Sequence, residues 1–209
     1  MTTPSNNSVR AGKVLKTNNL TVADALSSFS CPVGQKQHVQ LIRPYAAFSA
    51  KAYSTAAPLP IGIAYIASII EKAGYGVDVI DGVGEDIMRI KESPCGQFMH
   101  QGMSLESIIA RIKPNSSIVG ISMMFSQNWL QYRELANAVR KAYPEVIIVA
   151  GGEHITALTE FSLRDCPAID YAVVGEGELT IVEMIHRIAT GEGVKDLNGV
   201  CFLDNKGEY

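Results

Sequence analysis

Val146-Ile147-Ile148-Val149-Ala150-Gly151-Gly152 is the stretch on which the fold turns. It is the most apolar short run in the chain, as expected of a strand covered on both faces of a parallel sheet. The glycine pair closes the run, and a shorter helix is expected from about Ile155 to Arg164. Upstream, Tyr132, Leu135, Ala136, Val139 and Tyr143 repeat at helical spacing, and Pro144 ends that helix. Strand, tight glycine turn and helix therefore succeed one another here.

The same unit recurs outward in both directions. Toward the N-terminus, Ser117 to Ser122 (SIVGIS) is a strand, preceded by a helix marked by Leu105, Ile108, Ile109 and Ile112 with Ser104 as N-cap. Before that come the strand Val77-Asp78-Val79-Ile80 and a helix carrying Ile66, Ile69, Ile70 and Ala73. Pro60 suits the start of that helix and Gly74 its end. The first strand is Val39-Gln40-Leu41-Ile42, followed by a long loop from Arg43 to Leu59. Toward the C-terminus, Tyr171-Ala172-Val173-Val174 is the fifth strand, and Ile181, Met184, Ile185 and Ile188 mark its helix. Gly199 to Leu203 reads as one more strand, with a hairpin turn expected at Asn205-Lys206-Gly207. Five strands alternating with helices across crossover-length connections predict a doubly wound, flavodoxin-like parallel sheet of order 2-1-3-4-5 with helices on both faces. The expected organisation is an irregular extension over 1–37, an α/β domain over 38–203, and the start of a hairpin or linker over 204–209.

Composition excludes several classes. The 209 residues carry a formal net charge of −3, which gives no electrostatic footprint for nucleic acid or an anionic membrane. No apolar run approaches the roughly 20 residues of a membrane span, and the polar N-terminus has no secretory apolar core, so the cytoplasm is the expected compartment. Cys31, Cys95, Cys166 and Cys201 are far apart and form no C-x-x-C pair. Nothing here builds a metal centre, and no catalytic residue is expected.

Ligands of such sheets bind beyond the carboxyl ends of the strands. Those ends carry Tyr45 and Ser54 in the first loop, and Asp81 and Val83 after the second strand. Ser122, Met124, Phe125 and Ser126 follow the third. Gly151, Gly152 and His154 follow the fourth, and Gly175, Glu176 and Gly177 the fifth. A tight strand-to-helix turn favours glycine by itself; glycine-rich turns on neighbouring strands with Ser122 beside them point further, to a ligand approaching the backbone closely. The dinucleotide fingerprint G-x-G-x-x-G is missing after strand one, and no G-x-x-x-x-G-K-[ST] occurs. Phosphoreceiver domains share the fold but need an acidic pair where Arg43 stands and a lysine where Glu176 stands.

The segments PLPIGIAYIASIIEKAGYGVDVID (58–81), IVGISMM (118–124), IIVAGGEHIT (147–156) and YAVVGEGELTIVEMI (171–185) together resemble the N-terminal cobalamin-binding domain of radical-SAM proteins. The resemblance spans roughly His38 to Leu203. It implies that Ser122-Met123-Met124 stands for the family's S-x-L and Gly151-Gly152 for its G-G, lining a slot for the cofactor's nucleotide tail. The D-x-H-x-x-G motif would fall on Asp81-Gly82-Val83-Gly84-Glu85-Asp86, with Val83 in place of the histidine. Cobalamin would then sit base-off without a protein histidine on cobalt, with the loops Tyr45 to Ser54 and Phe125 to Asn128 as neighbours of the corrin. His154 is expected at the tail or in local structure. The radical-SAM core, with its [4Fe–4S] cluster and S-adenosylmethionine, would lie outside this chain, whose C-x-x-x-C-x-x-C motif is missing. The resemblance leaves open a cobalamin-free scaffold for such a core, and a stand-alone small-molecule or flavin-type module.

Overall fold

The computed structural model describes residues 37–52, 58–93 and 95–209, together with 26, 28, 29, 31 and 32. Ser54 and most of the 1–37 extension lie outside the described residues. In chain order the strands are β1 (His38–Arg43), β2 (Ala46–Ser49), β3 (Gly76–Asp81), β4 (Ile90–Glu92), β5 (Phe98–Gln101), β6 (Ile118–Ser122), β7 (Ile147–Gly151), β8 (Tyr171–Val173) and β9 (Val200–Cys201). The helices are α1 (Ile61–Lys72), α2 (Leu105–Arg111), α3 (Trp129–Ala142), α4 (Glu153–Ala157), α5 (Thr159–Asp165) and α6 (Glu178–Thr190).

The main sheet runs β3-β1-β6-β7-β8-β9, parallel throughout except that β9 pairs antiparallel with β8. Its five parallel strands have the expected flavodoxin-like order, and β9 adds a short edge. Alternate side chains of each strand face opposite layers. Val39 and Leu41 of β1 and Val149 of β7 pack with Ile63 and Ile70 of α1 and Val182 and Ile185 of α6. Ile42, Val119, Ile121 and Ile148 pack on the other face with Ile108 of α2, Leu135 and Val139 of α3, and Leu163 of α5. Helix ends follow local chemistry: Ser104 Oγ accepts from Ser107 N at 3.2 Å, and Gly74 takes φ +85° just past α1.

Two features depart from the sequence reading. The long loop after β1 and the connection after β3 hold a second, antiparallel sheet of order β2-β5-β4. These strands are three or four residues long, too short to show an alternating pattern. The helix expected from Ile155 to Arg164 is two short helices, broken at Leu158, whose backbone takes φ −132°, ψ 42°.

At the amino end of the sheet, His38 Nε2 lies 2.7 Å from Asp78 Oδ2 and His38 Nδ1 3.0 Å from Ser116 Oγ, while Lys113 Nζ reaches the same aspartate oxygen at 2.5 Å. This cluster joins β1 and β3 to the segment before β6, opposite the end where ligands enter. No helix among the described residues is long and apolar enough to cross a membrane.

Candidate functional site: a slot and a basin at the carboxyl ends

The chain leaves β1 toward β3 on one side and returns to β6 on the other, so the order reverses between β1 and β6. Loops that part at such a point leave a crevice. Two adjoining cavities occupy it, sharing Gly62, Ile63, Ser122 and Met124. The first is a slot of about 300 Å³ between the sheet and helices α1 and α6, walled by Leu41, Ile63, Ile66, Ile121, Val149, Val173 and Ile181. The second is a broader basin of about 530 Å³ beneath the small sheet, walled by Tyr45, Ala47, Phe48, Leu59, Val83, Phe125, Asn128 and Tyr132. Both volumes fall in the range of small-molecule sites, roughly 300–1,000 Å³.

Glycines make the slot. Gly120 stands mid-strand in β6, abreast of Leu41 on one side and Val149 on the other. A Cβ there would lie 2.7 Å from Leu41 Cδ2, and any larger side chain would occupy the slot. Gly152 takes φ +112°, and a Cβ on it would lie 2.7 Å from the carbonyl oxygen of Met123. That oxygen accepts from His154 N at 3.1 Å, and Met123 N donates to Gly151 O at 2.7 Å, so the turns after β6 and β7 are fastened together. Gly175 takes φ +72° with open space where its Cβ would be.

Most of the residues expected at the site converge on these two cavities. Gly151, Gly152, Gly175, Glu176 and Gly177 line the slot, Tyr45, Val83 and Phe125 the basin, and Ser122 and Met124 both. Ser122 is also register partner of Gly151. Three others serve the framework. Asp81 sits at the end of edge strand β3, where its carboxylate takes Arg43 Nη1 at 3.1 Å and the backbone N–H of Val83 and Gly84 at 3.2 and 2.9 Å. The D-x-H-x-x-G position assigned to 81–86 thus falls at the sheet edge, and only Val83 of the residues expected there reaches the basin. The loop facing the crevice is the one after β1, which enters α1 through Pro58-Leu59-Pro60.

His154 and Ser126 lie behind the slot. His154 is 2% exposed, stacked on Trp129 at 4.8 Å between ring centres. Its Nδ1 is 2.8 Å from Ser126 Oγ and its Nε2 3.2 Å from Ser162 Oγ. Ser162 gives its hydroxyl hydrogen to Leu158 O at 2.8 Å. Nε2 therefore carries the ring proton, and Nδ1 accepts from Ser126. Burial holds this imidazole below its ordinary pKa, so the neutral ring is the form that fits. His38, His100 and His186 line neither cavity either. Tyr45 donates to Glu134 Oε2 at 3.0 Å, and its burial, with that carboxylate beside it, raises the phenol well above its usual range.

Sequence reasoning missed Gly120 as a wall residue, along with the first turn of α1 at Gly62 and Ile63, whereas the loop from Phe125 to Asn128 lines the basin as expected. Gly120 had a readable signal, because glycine inside a buried strand often marks close approach by a ligand. A macrocycle with a planar tail suits this arrangement: the slot is narrow, apolar and floored by glycine, and the basin is wide, with aromatic walls.

A doubly wound sheet with such a glycine-floored slot at its switch point defines a small-molecule-binding α/β domain. The family model described as the B12 binding domain matches residues 52–185, and the chain belongs to that family. It is 32% identical over 146 residues to an uncharacterised methyltransferase of Pyrococcus horikoshii, the match covering 70% of this chain and 28% of that protein. It is 28% identical over 151 residues to the cytidylyl-2-hydroxyethylphosphonate methyltransferase of Streptomyces wedmorensis, covering 71% and 28%. Against the anaerobic magnesium-protoporphyrin IX monomethyl ester cyclase of Rubrivivax gelatinosus, identity is 25% over 155 residues, covering 71% and 25%. The matched region thus spans under a third of each of these curated relatives.

Proposed function

We propose that this domain holds cobalamin base-off, with the nucleotide tail in the slot and the corrin ring over the basin, for a cobalamin-dependent radical-SAM enzyme. The observation that carries the reading is the slot itself: an apolar channel opened by Gly120 and Gly152 and joined to a basin that no histidine lines. Leu41, Val149 and Ile181 would grip the planar base, and Ser122, on the rim shared by slot and basin, offers a hydroxyl to the tail. The turns at Gly152 and Gly175 let the tail run close to the backbone. When bound, the corrinoid supplies cobalt that can carry a methyl group or take part in radical chemistry. The chain's own residues bind it, orient it and keep water from the tail.

Family membership and the methyltransferase and cyclase names of its relatives support the reading. Substrate, iron–sulfur cluster and S-adenosylmethionine would belong to a radical-SAM core in the whole protein.

The test is gel filtration after mixing the chain with hydroxocobalamin. The native chain is expected to elute with stoichiometric cobalamin and a base-off spectrum. Gly120→Val, still folded by circular dichroism, should weaken retention by roughly tenfold or more, because loss of about 1.4 kcal/mol of tail contact is enough for that factor. A folded native chain that elutes free of cobalamin would leave it as a scaffold and end this reading.

A further inference from the structure

We infer that Asn128 donates its side-chain amide to an oxygen of the bound corrinoid, fixing the ring over the basin. The inference rests on the cobalamin reading above. Asn128 closes the short turn Ser126–Asn128 and leads into α3. It is 4% exposed and stands in the basin wall. Its Oδ1 accepts from Ala47 N at 3.3 Å. Since a backbone N–H can only donate, this bond settles which end of the amide is oxygen. Nδ2 then carries two donors, and it has no hydrogen-bond partner among the described residues.

Its surroundings make that donor unusual. Tyr45, Val83 and Tyr132 line the same wall, and the Tyr45 hydroxyl is engaged with Glu134. Nδ2 is not one of the sealed polar atoms of the fold: it is open to the basin, where an acceptor oxygen of a bound ligand would replace the water that meets it. An amide nitrogen is too weak a base to ligate a metal, so donation is its one available role. A corrinoid offers two kinds of acceptor: the carbonyls of its peripheral amide side chains, and a water held on cobalt when no nitrogen occupies that face. Both present an oxygen to Nδ2.

Two variants separate donation from mere support. Asn128→Asp keeps the oxygen that takes the Ala47 N–H but replaces the donor with an acceptor. Asn128→Ala removes both. Thermal melts show that each variant is folded, and hydroxocobalamin is titrated into each at pH 8, where the new carboxylate is ionised. Donation predicts that both variants bind on the order of tenfold more weakly than the native chain, the usual worth of one such bond. If the acceptor is the cobalt-bound water, the absorption bands of the bound corrinoid also shift in Asn128→Asp; if it is a peripheral carbonyl, affinity falls and the bands stay in place. Native affinity and spectrum in Asn128→Asp, with weakening confined to Asn128→Ala, would reduce the residue to a brace for β2 and overturn the inference alone. A native chain that retains no cobalamin would overturn it together with the reading beneath it.

Discussion

His154 shows how one side chain can look like a ligand and act as a strut. It follows the glycine pair that floors the slot, yet its ring points to the opposite layer, between Trp129 and the hydroxyls of Ser126 and Ser162. Burial lowers its pKa in the folded state. The sign of the linkage follows: the folded chain disfavours the charged ring, so the stability His154 contributes is complete above the unfolded value of about 6.5 and drains away as pH falls toward the lowered folded value. Asp78 adds to this at lower pH. Lys113 and His38 bond its carboxylate and hold it below the usual range, so its contribution is lost as acid protonates it. The melting temperature should therefore decline between pH 7 and pH 5 in the native chain. His100, which burial also holds below its ordinary value, shares that decline, so His154→Gln should lessen it while leaving cobalamin retention unchanged; an unaltered slope in the variant would show that His154 is not a titrating group.

At the scale of elements, the turn from β7 into α4 shapes the slot. Gly152 can hold φ +112° because it has no Cβ, and the Met123 carbonyl fills the space where one would stand. Gly152→Ala is expected to cost about 1–3 kcal/mol in urea denaturation, through positive-φ strain and the displaced carbonyl. The same change should weaken cobalamin binding, since the β6 and β7 turns shift with it. Unchanged urea midpoint and affinity would mean that the turn relaxes freely. The main sheet was legible because β6, β7 and β8 are short apolar runs at crossover spacing, and the helices between its strands, α1, α2, α3 and α6, repeat their apolar positions at i, i+3 and i+4. The small sheet was not. Ala46–Ser49, Ile90–Glu92 and Phe98–Gln101 are held together mainly by pairing with one another, a tertiary fact that four residues of local sequence do not carry. Glycines and Ser122 at the carboxyl ends were readable by type and place. The loop ending at Asn128 was readable by place, but the free amide donor of Asn128 was not, because it depends on Ala47 N taking the oxygen across the fold.

For the whole molecule, the order reversal between β1 and β6 puts slot and basin side by side, and β2 with Gln101 of β5 roofs the basin. On the proposed reading, such a site would grip the tail of a corrinoid and leave the cobalt without a histidine from this chain. Electron paramagnetic resonance of the chain loaded with cobalamin and reduced to the cobalt(II) state reads that arrangement directly, because a nitrogen bonded below the cobalt splits each cobalt line into a triplet. A base-off corrinoid in this slot gives protein-bound cobalt(II) with single, unsplit lines. Nitrogen triplets on the protein-bound signal would place either a histidine or the cofactor's own base on the metal and contradict the base-off slot.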